Sequence, residues 1–111
     1  MVEIIVRGDG RDRLSSLLAS GHAGWDEPGQ DVVCAAVATI LQSAWLGLSE
    51  VAQVDVAGST RGNGRLELRW PESAREDVAA RAIVETAVRS VERIAHQYPD
   101  HVRVIRSRDD G

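Results

Sequence analysis

The stretch DVVCAAVATILQSAWLGL, residues 31–48, is the longest apolar run in the 111-residue chain, and its reading decides the fold. It is too long for a strand, and Ala35, Ala36, Ala38 and Ala44 favour helix. Asp31 stands where an N-cap belongs. Val32, Val33, Val37, Ile40, Leu41 and Trp45 leave almost no polar stripe, so this helix is expected to be buried on most sides. Toward the C-terminus, residues 51–56 and 65–70 alternate in period two around the polar stretch 58–64, the pattern of a β-hairpin with a long loop. Ser73 and Glu76 have the spacing of a capping box. They open a second helix whose Ile83, Ala87, Val91, Ile94 and Tyr98 recur at helical spacing until Pro99 stops it. Residues 102–105 form a last short strand, followed by a loose tail over 107–111. Toward the N-terminus, residues 21–30 form a loop, with three Gly, one Pro and two acidic residues in ten positions. Leu14, Leu17 and Leu18 fit a helical turn, but 13–20 follows a Gly-rich turn so closely that it reads as the second arm of a hairpin. Residues 2–7 are the first arm, ended by Gly8-Asp9-Gly10.

The predicted order is therefore β-β-α-β-β-α-β. Hairpins outnumber crossovers, so the class is α+β: a mostly antiparallel sheet with two helices packed on it, in one domain over 1–111. A net charge of −4 and a pI near 5.3 argue against direct nucleic-acid binding. The thirteen basic residues are all Arg and are scattered along the chain. With one Cys no internal disulfide can form, which points to a reducing compartment. Residues 1–7 carry an apolar run too short for a signal segment and broken by Glu3. No stretch approaches the ~20 apolar residues of a membrane helix, so a cytoplasmic protein without a membrane partner is expected.

Chemistry concentrates between residues 21 and 37. Cys34 lies near the start of the 31–48 helix, where outward N–H groups and the helix dipole stabilise a thiolate. His22, twelve residues earlier at the far end of a Gly-rich loop, can fold back to act as its base. Asp31, one turn before Cys34, can cap the helix, orient His22, or do both through its two oxygens. On spacing alone these residues have plainer readings: a small core hydrophobe for Cys34, a solvated loop residue for His22 and a cap for Asp31. Trp25 within the loop serves either a pocket for an apolar peptide side chain or as an anchor to the core. Gly24 and Gly29 on either side of it loosen the backbone of the loop.

The run Gly21-His22-Ala23, followed after several residues by Gly29, Asp31, Val32, Val33, Cys34, Ala35, Ala36 and Val37, resembles the ribosomal-processing cysteine protease family. The order of elements is similar over nearly the whole chain. The resemblance implies a homodimeric α+β cysteine endopeptidase that removes a short N-terminal extension from a large-subunit ribosomal protein. It implies Cys34 as nucleophile, His22 as general base and Asp31 as an assisting residue. It further implies a loop, holding Gly24, Trp25 and Gly29, that orders around the peptide. Members often carry Ser four residues after the Cys, where this chain has Ala38. The competing reading is a non-catalytic dimeric factor that binds a ribosomal protein or assembling particle and keeps the motif for structure.

Other signals are weaker. His96 and His101, near the end of the second helix, complement its dipole and form no metal-ligand spacing with His22 and Cys34, so no metal site is expected. Gly62-Asn63-Gly64 lacks a nucleotide-binding glycine pattern, and no cofactor is implied. Trp45 and Trp70 are expected in the core.

Overall fold

The computed structural model describes residues 1–21, 30–61 and 65–108. Strand β1 (Val2–Gly8) pairs antiparallel with β2 (Leu14–Ser20), so the ambiguous second segment is a strand. Helix α1 (Gln30–Leu46) runs into a wider turn at Gly47–Val51. Strands β3 (Ala57–Arg61) and β4 (Arg65–Arg69) form the second hairpin, followed by helix α2 (Val78–Gln97) and strand β5 (Val102–Arg108). The sheet order is β3-β4-β2-β1-β5, with only the β1–β5 pairing parallel. The expected class and element order hold.

Register explains how the core forms. Ile4 lies opposite Ala19 and Val104, Val6 opposite Leu17, and Leu17 and Ala19 opposite Leu68 and Leu66. Because side chains alternate along a strand, these residues share one face. Val33, Val37, Leu41 and Leu48 from the α1 region pack on that face with Val84, Val88 and Val91 of α2. The opposite face carries Glu3, Arg7, Glu67, Arg69 and Arg103, with Leu18 buried among them. Trp70 ends β4 in the core, and its indole Nε1 donates to the Leu14 carbonyl at 2.7 Å.

Four expectations are corrected. Helix α1 is not buried on most sides: Val32 is 74% and Leu46 55% exposed, and its buried side chains are confined to the 33/37/41/44/48 stripe. Its N-terminus lies one residue earlier than expected, so Asp31 is inside the helix rather than its cap. The stretch Val32–Val51 does reach the length and apolar content of a bilayer span, although its inward stripe is occupied in packing on the sheet. Residues 51–56 are not a strand. The amides of Ala52 and Val54 turn back to the carbonyls of Gly47 and Leu48, each at 2.8 Å, and Gln53 has φ +54°. Val54 and Val56 pack on the core without joining a sheet, which produced the misleading alternation.

The capping box at Ser73 is not used. Asp77 caps α2, its carboxylate accepting from the Ala80 amide at 2.9 Å. Glu76 instead faces Arg13 at 3.6 Å, and Glu72–Ala74 is a single tight turn. Strand β5 runs on to Arg108, because Arg106 pairs with Glu92 and Arg108 donates to the Gly10 carbonyl. Ser107 and Arg108 therefore belong to the strand rather than to the expected tail.

Candidate active site

Cys34 is the fifth residue of α1, on the side of the helix between its buried stripe and solvent. It is half-buried and packs against the edge of the core cluster. Its own N–H falls within the i→i−4 ladder, so the open donors of the helix start lie before it. Cys34, Ala38 and Gln42 follow one another at i, i+4 and i+8 and form a ridge along α1.

That ridge borders a cavity of about 300 Å³. Its floor is apolar: Val37 and Leu41 from α1, Ala19 from β2, and Leu66 from β4. Gln42, Thr60 and Arg65 form a polar rim on the side of the β3–β4 hairpin. The volume lies at the lower end of the range of small-molecule sites and suits a side chain rather than a cofactor. The sulfur therefore opens on an apolar recess with hydrogen-bonding groups at its edge.

Gly21 lines the same cavity at the end of β2. Its φ of +149° is closed to most L side chains, and a Cβ there would lie 2.6 Å from the Met1 carbonyl oxygen and 2.8 Å from the Val2 Cα. The glycine lets the chain leave the sheet pressed against the start of β1.

His22, Gly24, Trp25 and Gly29 lie outside the described residues, as does the side chain of Asp31. The backbone places Asp31 three residues before Cys34 on the same helix. Sequence reading missed Leu41, Thr60, Arg65 and Leu66. Helical spacing from Cys34 points to Leu41, but no local pattern signals the residues that a hairpin brings from a distance.

A second depression of about 290 Å³ lies between the β1–β2 turn and α2. It is lined largely by charged side chains engaged with one another, including Arg13 and Arg75, and is distant in the fold from Cys34.

Residues 1–103 match the family model described as Cysteine protease Prp. The Ribosomal processing cysteine protease Prp of Bacillus subtilis (strain 168) is 27% identical over 107 residues, covering 94% of this chain and 96% of that protein. Among solved structures, the ribosomal processing protease Prp from S. aureus with a substrate peptide superposes with a TM-score of 0.86. It is 18% identical, and the match covers 96% of this chain and 100% of that one. SMU.848 from Streptococcus mutans gives a TM-score of 0.84 at 22% identity, over 98% of this chain and 96% of its own. At these identities the structures establish the shared fold.

Proposed function

The chain belongs to the cysteine protease Prp family, and from that premise we propose that it is an endopeptidase that removes a short N-terminal extension from a large-subunit ribosomal protein. The observation that carries the reading to particular residues is the placement of Cys34 on the wall of an apolar cavity. His22 takes the thiol proton, and the sulfur attacks the scissile carbonyl to give a tetrahedral oxyanion. Backbone N–H groups before Val33 at the start of α1 are the donors available to that oxyanion. Collapse breaks the C–N bond, the amine leaves with the proton held by His22, and a thioester to Cys34 remains. Water, deprotonated by His22, then releases the acid and restores the thiol. Asp31 assists by orienting the imidazole, and Gly24, Trp25 and Gly29 close over the peptide.

The protein works as a cytoplasmic homodimer in this reading. Val32 on α1, Val51 just beyond it and Val78 at the start of α2 leave apolar side chains outward for a second copy to cover. Sedimentation at micromolar concentration is expected to show twice the 12.0 kDa chain mass. A monomer alone at that concentration removes the dimer from the proposal.

The decisive experiment incubates the protein with a peptide covering the start of the ribosomal protein from the same genome. Mass spectrometry should find one cut, and Cys34→Ala should abolish it. A wild-type protein that binds the peptide but leaves it intact establishes the non-catalytic binding factor instead.

A further inference from the structure

The Cys34 cavity does not end at Gln42. Gln42 and Thr60 also line a second, shallower recess of about 310 Å³, whose remaining walls are Trp45, Leu46, Ser49 and Glu50. Sharing Gln42 and Thr60, the two recesses adjoin between α1 and the edge strand β3, one holding Cys34 and the other nearer the C-terminal end of the helix. At ~1.5 Å per helical residue, Glu50 lies roughly 24 Å along it. An extended chain rising ~3.3 Å per residue covers that length in about seven residues.

The groove is electrically polar. Arg65, at the Cys34 end, pairs with no carboxylate among the described residues. Glu50, at the other end, pairs with no cation among them. Beside Glu50 stands the Trp45 indole, held in place because its Cε2 and Cζ2 lie where Gly58 would carry a Cβ. Leu46, 55% exposed, supplies apolar surface next to it. A carboxylate, an aromatic ring and an aliphatic patch together fit a Lys or Arg side chain, its stem on Leu46 and its charge between Glu50 and Trp45.

We infer that this distal recess is a specificity subsite for a basic residue about seven positions from the scissile bond. The inference rests on Cys34 marking the cleavage point. The occupant is an extended peptide, because the recess adjoins the Cys34 cavity and the distance between them matches a short strand. A basic residue is favoured at the Glu50 end and disfavoured beside Arg65, so charge fixes how the peptide lies in the groove.

The test separates the subsite from the chemistry by measuring binding to the Cys34→Ala protein. Labelled peptides carry a central apolar pair and a single Lys moved stepwise along either side; matched peptides carry Glu or Ala. The Lys peptide should bind about five- to tenfold more tightly than its Glu counterpart at the distal position on one side, and more weakly near the centre. Glu50→Arg should reverse the distal preference, and raising the salt should shrink it. Equal affinity for the distal Lys and Glu peptides, a preference unaffected by Glu50→Arg, or no binding by any peptide overturns the subsite. Turnover of the same peptides by the wild-type protein reports separately on Cys34, so failure of either reading is visible without the other.

Discussion

Asp9 sits in a five-residue turn, yet its carboxylate joins three parts of the chain. It accepts from the amides of Arg11 and Arg13 at 2.8 and 3.1 Å, and from the guanidinium groups of Arg13 and Arg75, each at 3.0 Å. The β1–β2 turn is thereby tied to the segment between β4 and α2. Partial burial pushes the carboxyl up, but the Arg13 and Arg11 amides and the Arg75 and Arg13 side chains outweigh it and hold Asp9 well below the usual carboxylate range. A depressed folded value stabilises the fold above the unfolded value, and that stabilisation is lost as pH falls through the folded one. Asp9→Asn should therefore lower the melting midpoint at pH 7, and its deficit should shrink progressively below the ordinary value of 3.8. A deficit of constant size from pH 7 to pH 2 means that the lost packing, not the charge, caused it. Gly21 makes a second residue-scale prediction. Gly21→Ala forces a strained φ and a backbone collision, a cost of order 1–3 kcal/mol. It should also slow Cys34 alkylation by iodoacetamide at pH 6.5 if the displaced chain carries His22 away. Alkylation that stays at the wild-type rate, and is equally unaffected by His22→Ala, removes His22 as the base. Cys34 was legible as a candidate from its place in an Ala/Val helix and from its motif. Arg65 and Thr60 were not, since a hairpin, rather than any local spacing, brings them beside the sulfur.

At the scale of elements, periodicity identified both helices, the Gly-rich turn rather than periodicity identified the first hairpin, and alternation misplaced β3. Residues 51–56 alternate because Val54 and Val56 touch the core, while their backbone is committed to ending the α1 segment. The true strand, Ala57–Arg61, is small and polar and has no β-branched run to advertise it. Gly58 in particular suggests a turn, whereas its physical reason is the Trp45 ring pressed on the strand. A Cβ there meets the body of an indole, so the ring or the strand must move. Gly58→Ala is expected to cost about 1–3 kcal/mol, as overpacking usually does, and to shift tryptophan emission to the red as the indole swings outward. Unchanged stability and emission show that the α1–β3 contact is loose, which also weakens the case for a formed distal groove. The capping error has a similar origin. Ser73 and Glu76 have the right spacing, but Arg13 draws Glu76 aside, and Asp77 caps a helix that starts one turn later.

At the scale of the whole molecule, one apolar layer joins everything the chain forms. Leu68, at the centre of the sheet, is fully buried in the same cluster as Leu41 of α1 and Val88 of α2. The strands that meet there come from both halves of the chain: β1 pairs with β2 on one side and with β5, about a hundred residues later, on the other. The parallel pairing could not be read from composition. Val102 and Val104 look the same whether they add to an edge or form a hairpin, and it is the α2 crossover that returns the chain in parallel. Such interleaving predicts one cooperative unit, the single domain expected from length. Leu41→Ala and Leu68→Ala should each cost about 2–5 kcal/mol, because burial near zero exposure leaves a cavity as well as lost transfer energy. Against a typical stability of about 5–15 kcal/mol, either change should lower the melting midpoint by ten degrees or so. The sharper expectation concerns the form of the transition. Far-ultraviolet dichroism, which reports mainly on the helices, and tryptophan emission, which includes Trp70 in the sheet, should trace one curve in the parent and in both variants. Should Leu41→Ala melt the helices while the Trp70 signal persists to a higher temperature, α1 is a separate unit docked on a self-sufficient sheet. Cys34 would then ride on a detachable element, and its distance from Arg65 and Leu66 would vary with temperature well below global unfolding.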